Sequence, residues 1–129
     1  MITNELNSVA EFHNAFRIAM TDKPTIDLPL DIIKLRFNLM KEENEEYLEA
    51  AENNDMIEVA DALGDMLYIL CGTILSHGMQ HKIQEVFEEI HRSNMSKLGE
   101  DGQPIYREDG KVLKGSNYFK PNIKDILEK

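Results

Sequence analysis

The chain has 129 residues, of which 42% are apolar, and this is enough for one domain with a modest core. Its formal net charge of −10 argues against a general nucleic-acid binder, because such proteins neutralise phosphates with Lys and Arg. No run of about eighteen apolar residues indicates a membrane span, the N-terminal region lacks a signal-peptide pattern, and a lone cysteine, Cys71, excludes an intrachain disulfide. We therefore expect one cytoplasmic domain, residues 1–129, with neither nucleic acid nor a membrane as partner.

The first half of the chain predicts two helices. Apolar residues recur at helical spacing over about residues 4–20, and Pro24 ends this pattern. A second helix is predicted over about residues 31–53, with the side chain of Asp31 as its N-cap. The proline-containing segment between the two patterns predicts a short connection.

Two further helices follow the second. One is predicted over about residues 56–76, where Gly78 suits a left-handed cap, and the other over about residues 80–97. Four consecutive helices with short connections predict an all-α, four-helix bundle with its core at about residues 4–98. Because so small a bundle exposes apolar surface, we expect homo-oligomerisation, as a homodimer or homotetramer, to complete it.

The chain beyond the fourth helix has a different composition. Glycine and proline become frequent, and Asp109-Gly110 separates two short apolar pairs. An Asp-Gly turn in this setting predicts an ordered loop or a small hairpin, so we assign a C-terminal extension to about residues 99–129.

Acidic residues dominate the middle of the chain, where residues 42–81 contain no Lys or Arg. A helical wheel assigns an ordinary solvent face of the second helix to Lys34, Asn38, Lys41, Glu45, Glu49 and Glu52. Two other acidic sets instead continue apolar stripes toward the core: Glu42, Glu43 and Glu46 on the second helix, and Glu58, Asp61 and Asp65 on the third.

These inward acids favour a metal site. Ionised carboxylates beside a core are costly unless they are paired or bind a cation. Because oxygen ligands suit hard ions, we expect Mg²⁺, or Mn²⁺, rather than Zn²⁺, and the pattern of a calcium loop is absent. The alternative is that residues 42–52 are an ordinary solvated charge run.

Candidate phosphate-binding side chains lie later in the chain. The apolar stripe of the fourth helix continues into Asn94 and Lys97, while Lys111 and Lys114 lie beside glycines in the extension. The alternative for each lysine is a solvated surface charge. His13, on the apolar stripe of the first helix, is expected to be a satisfied core histidine rather than a group that contacts a base.

Four segments carry a resemblance to a known superfamily. Residues 42–46 (EENEE) followed by residues 58–65 (EVADALGD) resemble the E-x-x-E and E-x-x-D signature of the all-α nucleoside triphosphate pyrophosphohydrolases. This superfamily includes the MazG proteins, the dimeric dUTPases and the phosphoribosyl-ATP pyrophosphohydrolases. Residues 91–97 (HRSNMSK) and 109–119 (DGKVLKGSNYF) are similar to a MazG-like branch, so the resemblance spans about residues 9–122.

The resemblance implies Mg²⁺-dependent hydrolysis of a nucleoside triphosphate between its α and β phosphates, giving a nucleoside monophosphate and pyrophosphate, as part of nucleotide-pool cleaning. By position, Glu43 and Glu46 match the first metal-binding and catalytic pair. The resemblance further implies that the phosphates are contacted by Arg92, Asn94 and Lys97 and covered by the tail with Lys111 and Lys114.

The second acidic element departs from the family pattern. Many relatives carry glutamate three residues before the final aspartate, Asp65, where this chain has Ala62. Either Asp61 takes the place of that glutamate, or the pair is Glu58 and Asp61 with Asp65 added. Two rival functions also stay open: hydrolysis of phosphoribosyl-ATP on the same scaffold, and a non-catalytic helical regulatory or dimerisation module.

Overall fold

The computed structural model describes residues 2–129 and, within them, an all-helical fold without a strand. The helices are α1 (Thr3–Ala15), α2 (Leu30–Glu52), α3 (Met56–Ser76), α4 (Ile83–Met95) and α5 (Ile123–Glu128). The prediction of an all-α fold is therefore confirmed. The first four helices correspond to the predicted ones, whereas α5 lies in the extension that was expected to be loop or hairpin.

The chain divides into two compact units, Met1–His81 and Lys82–Lys129. In the first unit, α3 packs against both α1 and α2, and in the second unit α4 packs against α5. We predicted a four-helix core over about residues 4–98, and the structure groups its fourth helix, α4, with the tail in the second unit. Two hydrogen bonds between residues distant in sequence join α4 to the tail: Ser93 donates to the carbonyl of Phe119, and the backbone N–H of Asn122 donates to Glu89.

The first three helices end in the same way, with one residue in the left-handed region. These residues are Arg17 after α1, Asn54 after α2 and Gly78 after α3. In each case the next residue donates its backbone N–H to a carbonyl five residues back, as Ile18 does to His13. This pattern satisfies carbonyls that a helix end otherwise leaves unpaired. The structure thus confirms the predicted cap at Gly78 and ends α1 at Ala15, earlier than the predicted residue 20.

The starts of α2 and α3 differ. Asp55 caps α3, since its carboxylate accepts the backbone N–H of Glu58. The predicted cap by Asp31 is wrong: α2 begins one residue earlier, at Leu30, after Pro29, and Asp31 accepts only the N–H of Ile32. Proline before the first turn gives α2 a fixed backbone angle at its start.

The core of the first unit contains an unusual polar group. Its apolar members are Leu6, Val9, Ala50, Ala62, Cys71, Ile74 and Leu75. Among them lies Arg36, which is 9% exposed and donates hydrogen bonds from α2 to two groups of α3, the carbonyl of Ile69 (2.7 Å) and the hydroxyl of Thr73 (3.1 Å). Gly72 provides the space for this guanidinium, because an added Cβ would overlap it and crowd His13.

The second unit is built around Glu89, which is 9% exposed on α4. Its carboxylate accepts hydrogen bonds from Arg92 and from the backbone of Asn122, so it connects α4 to the segment before α5. Between the helices, an isolated antiparallel bridge joins Tyr106 to Val112, as the predicted small hairpin requires.

α3 is the one helix in the described part of the chain that is long and apolar enough to cross a membrane by length and composition. The core helix of a soluble protein meets the same criterion, and α3 packs between α1 and α2. This composition is therefore weak evidence for a membrane span.

Candidate functional site

The acidic residues predicted on α2 and α3 are partly brought together. Glu43 lies within the electrostatic influence of Glu46, Asp61 and Asp65, and we call these four residues the acidic cluster. Glu43 and Glu46 are three positions apart and Asp61 and Asp65 four, so each pair occupies one face of its helix. Glu43 and Asp65 are half-buried, whereas Glu46 and Asp61 are exposed. The cluster thus has a buried side and a side open to solvent.

The carboxylates of the acidic cluster shift one another's pKa. Desolvation is the largest of the effects that raise the pKa of Glu43 to about 7, followed by hydrogen bonding with Glu46 and the charges of Asp65, Glu46 and Asp61. Desolvation and then the charges of Asp61 and Glu46 raise the pKa of Asp65. The Oε2 atom of Glu43 is buried without a hydrogen-bond partner. The charges acting on both groups are all negative, an environment that attracts a cation.

The other predicted acids occupy different positions. Glu58 lines a small cleft of about 280 Å³ with Glu46, Glu49 and Asp55, rather than joining the groups that act on Glu43. Glu42 is exposed. Ala62, the position at which the family pattern led us to expect glutamate, is 2% exposed within the core. Of the two alternatives for the second acidic pair, this placement favours Asp61 with Asp65.

The raised pKa of Glu43 predicts a pH dependence of stability. Since the pKa in the folded protein lies above its ordinary value of 4.5, the folded state binds this proton more tightly than the unfolded state. The contribution of Glu43 to the free energy of unfolding therefore falls as pH rises from 4.5 to about 7. We expect Glu43→Gln to raise the melting temperature relative to the unchanged protein by an amount that grows between about pH 5 and about pH 7 in EDTA.

Comparing Glu43→Gln with the unchanged protein separates the contribution of Glu43 from that of His13, which changes with pH in the opposite direction. Burial, followed by the charge of Arg36, lowers the pKa of His13, so its stabilising contribution is lost as pH falls below its ordinary pKa of 6.5. Glu45→Gln is the matched control, because Glu45 is exposed and its one ion pair, with Lys41, is long at 4.0 Å. A difference in melting temperature that stays constant across this pH range would contradict the prediction.

A hard divalent cation fits the acidic cluster in ligand chemistry. Its candidate donors are carboxylate oxygens, and the buried Oε2 atom of Glu43 has no other partner. Throughout residues 2–129, no three His, Cys, Asp or Glu side chains lie in an arrangement that would by itself hold a metal ion. Residue type and electrostatics therefore agree with a cation site, and the coordination geometry stays a prediction.

Two of the predicted phosphate-binding residues are engaged within the second unit. Arg92 donates hydrogen bonds to Glu89, and its guanidinium lies 4.6 Å from the centre of the Phe119 ring. The ammonium of Lys114 lies 4.8 Å from the centre of the Tyr118 ring. The contact of Arg92 with Phe119 joins α4 to the tail, whereas the contact of Lys114 with Tyr118 lies within the tail, so both cations have a structural role.

The remaining predicted residues of this unit are less constrained. Asn94 and Lys111 are exposed, with Lys111 beside the turn at Gly110. Lys97 is half-buried, and its backbone carbonyl accepts the N–H of Gly115. Phosphate binding by these three residues stays a prediction.

Sequence reasoning missed one polar group in the first unit and misjudged another. Arg36 was not singled out, although a basic residue four positions after Ile32 on the apolar side of α2 was the available signal. His13 was expected to be satisfied. It is indeed buried, at 2% exposure, but its Nδ1 atom has no hydrogen-bond partner.

Comparison with known proteins gives a family match and a viral relative. Residues 9–94, two thirds of the chain, match the model of the phosphoribosyl-ATP pyrophosphohydrolase family. The chain is 29% identical over 94 residues to an uncharacterized protein of Acanthamoeba polyphaga mimivirus, a match that covers 73% of this chain and 34% of that protein. The chain thus spans about a third of the length of this relative.

A solved structure gives a similar result over nearly the full length. It is that of a proposed NTP pyrophosphohydrolase from Exiguobacterium sp. 255-15, which is 25% identical and superposes with a TM-score of 0.53. The match covers 97% of this chain and 94% of that one. Together with the family match and the paired acids on α2 and α3, it agrees with the resemblance seen in the sequence. The chain belongs to the phosphoribosyl-ATP pyrophosphohydrolase family, within the all-α, MazG-like pyrophosphohydrolase superfamily.

Proposed function

We propose that this protein is a nucleoside triphosphate pyrophosphohydrolase that requires Mg²⁺, or Mn²⁺, and cleaves its substrate between the α and β phosphates. The observation that carries the proposal is the acidic cluster, in which Glu43 is half-buried among three further carboxylates. Family membership supports hydrolysis of a phosphoric anhydride as the reaction class. The biological role that we propose is removal of unwanted nucleotides in the cytoplasm.

The acidic cluster accounts for the chemistry in outline. Glu43, Glu46, Asp61 and Asp65 would hold the cation by their carboxylate oxygens. A divalent ion bound there would neutralise phosphate charge and lower the pKa of a water molecule. Glu43 or Glu46 would accept the proton that the water loses as its oxygen attacks phosphorus, and pyrophosphate would leave with the electrons of the broken P–O bond.

Release of pyrophosphate from a panel of canonical and modified nucleoside triphosphates tests the proposal. We expect release with Mg²⁺, none with EDTA, and a Mg²⁺-dependent rise in melting temperature because the ion binds the folded state. Replacing Glu46 with glutamine should weaken that rise. A protein that releases no pyrophosphate and whose melting temperature ignores Mg²⁺ would instead be a helical regulatory module.

A second candidate substrate is phosphoribosyl-ATP, which the family match favours. The same scaffold and the same acidic cluster would serve this reaction, since the bond cleaved is again a phosphoric anhydride. Including phosphoribosyl-ATP in the panel separates the two activities. Preferential hydrolysis of phosphoribosyl-ATP would replace the pool-cleaning role with a biosynthetic one.

We also propose that the protein works as a homodimer or homotetramer. Large apolar side chains are exposed on α2 and α3, among them Phe37, Leu48, Ile57, Leu63 and Leu70. Apolar exposure on this scale is typical of surfaces that are buried by association. A second copy of the chain is the partner that accounts for it most simply.

A further inference from the structure

Arg36 makes the hydrogen bonds that join α2 to α3. Its Nη2 atom donates to the carbonyl of Ile69 at 2.7 Å, and its Nε atom donates to the hydroxyl of Thr73 at 3.1 Å. That hydroxyl donates in turn to the same carbonyl, at 3.0 Å. Among residues 2–129, no other hydrogen bond connects these two helices. Because apolar contacts have no preferred direction, these two bonds are the directional link between α2 and α3.

The link is buried and closely packed. Arg36 is 9% exposed, and Gly72 on α3 brings the helix backbone against its guanidinium. The guanidinium is also planar and rigid, so its two donating nitrogens hold a fixed separation. A side chain confined in this way keeps α3 at one position along α2.

The acidic cluster lies within two helical turns of the link. On α2, Glu43 follows Arg36 by seven residues, which is about 10 Å along the axis and nearly the same face. On α3, Ile69 follows Asp65 by four residues, or about 6 Å. The position of the carboxylates of α3 relative to those of α2 therefore depends on the link.

The charge of Arg36 does not explain a role in the cluster. The groups whose charges shift the pKa of Glu43 and of Asp65 are all carboxylates. A positive charge would moreover repel a cation bound nearby. Any contribution by which Arg36 strengthens Mg²⁺ binding must therefore come from the positions that it gives to the carboxylates.

We propose that Arg36, with Thr73 as its partner, is a positioning residue for the cation site, which holds the carboxylates of α2 and α3 where a divalent ion can bind them together. This inference rests on the proposed function, because the acidic cluster is the proposed ligand set. Mg²⁺ requires oxygen ligands at about 2.0–2.1 Å in a nearly octahedral arrangement, and a working site tolerates displacements of about 0.5 Å. In this role neither Arg36 nor Thr73 contacts the ion.

Calorimetric titration of the nucleotide-free protein with MgCl₂ tests the inference without any hydrolysis. Arg36→Met should weaken Mg²⁺ binding about tenfold or more, the scale seen when groups that orient metal ligands are lost. The direction is diagnostic, because loss of the positive charge alone would strengthen binding. Equal or tighter Mg²⁺ binding by Arg36→Met would overturn the inference.

Thr73 offers a pair of variants that leave the charge of the protein unchanged. Thr73→Val keeps the branched shape but removes the hydroxyl, and it should weaken Mg²⁺ binding about threefold or more, since the bond to Ile69 remains. Thr73→Ser keeps the hydroxyl and should restore the affinity. This pair decides the question if Arg36→Met does not fold, and equal Mg²⁺ affinities of the two variants count against the positioning role.

Ile74→Val separates positioning from stability. Ile74 is 6% exposed on the same helix, so the loss of one methylene should lower the melting temperature by a few degrees. Its Mg²⁺ affinity should equal that of the unchanged protein. In steady-state hydrolysis, kcat should fall in Thr73→Val and be retained in Thr73→Ser, since a displacement of about 1 Å costs up to about 100-fold in rate.

The outcomes distinguish this inference from the proposed function. Mg²⁺ binding that depends on Arg36 and Thr73, in a protein that hydrolyses no triphosphate, would support the positioning role and remove the catalytic proposal. Hydrolysis together with a Mg²⁺ affinity that is indifferent to both residues would remove the positioning role and leave the catalytic proposal. Absence of Mg²⁺ binding by the unchanged protein would overturn both.

Discussion

Replacing Glu43 with glutamine is expected to slow pyrophosphate release about 100-fold or more, while the melting temperature measured in EDTA rises by a few degrees. On the proposed function, catalysis should fall because the substitution removes a charged carboxylate that we propose as a metal ligand. Stability should rise because Glu43 is desolvated among three like charges, and relief equivalent to one pKa unit is about 1.4 kcal/mol. The measurements are steady-state pyrophosphate release with Mg²⁺ and thermal melts with EDTA.

Glu45→Gln provides the control on the opposite face of α2. Glu45 is exposed and pairs only weakly with Lys41, so its replacement should change stability by less than about 0.5 kcal/mol and leave the rate unchanged. A stabilised Glu43→Gln variant that retained full activity would exclude this carboxylate from the catalytic site. A destabilised and inactive variant would show that Glu43 contributes to folding as well as to catalysis.

Gly72→Ala is expected to lower the free energy of unfolding by about 2–3 kcal/mol, or roughly 10 °C in melting temperature. An added Cβ would overlap the guanidinium of Arg36, which can move only by giving up hydrogen bonds to Ile69 and Thr73. Overpacking and unsatisfied donors each cost about 1–3 kcal/mol, whereas the gain in helix propensity is about 1 kcal/mol. Chemical denaturation and thermal melts measure the balance.

Gly64→Ala on the same helix is the matched comparison. No atom lies within 4 Å of the position that its Cβ would occupy, so helix propensity should dominate. We expect a stabilisation of about 0.5–1 kcal/mol. Equal effects of the two substitutions would refute the claim that Arg36 and His13 restrict the space at Gly72.

Where the sequence predicted the fold well, a local signal was present. The bounds of α3 follow from a capping aspartate, Asp55, and from Gly78 in the left-handed conformation. The end of α1 was placed five residues too late because Arg17, rather than glycine or asparagine, adopts that conformation. The apolar pattern continues beyond it through Ile18 and Met20, so nothing in the composition signals the reversal.

Assignment of α4 required information that a helical wheel does not contain. Its apolar stripe was read as a fourth face of one bundle, whereas the structure groups α4 with the tail. The hydrogen bonds responsible join Glu89 and Ser93 to backbone groups 26 to 33 residues later. Such long-range pairing has no periodicity and is not visible in local sequence.

For the acidic cluster, helical phase was informative but incomplete. It identified Glu43 and Asp65, which are half-buried, and it also selected Glu42, Glu58 and Asp61, which are exposed. Helical phase gives the angular position of a side chain around its own helix. Exposure of that side chain also depends on how far the neighbouring helix extends alongside it. The axial offset between α2 and α3 therefore decided which carboxylates lie near Glu43, and sequence alone does not specify that offset.

Arg36 sets the axial offset between α2 and α3. By holding a carbonyl and a hydroxyl of α3 with two separate nitrogens, it fixes how far one acid-bearing helix can slide along the other. Because a residue outside the acidic cluster sets this offset, the carboxylates of α3 keep a fixed position along the helix relative to the pair on α2. Asp61, which directly precedes the buried Ala62, then joins the acidic cluster from a helix whose position along α2 is fixed by Arg36.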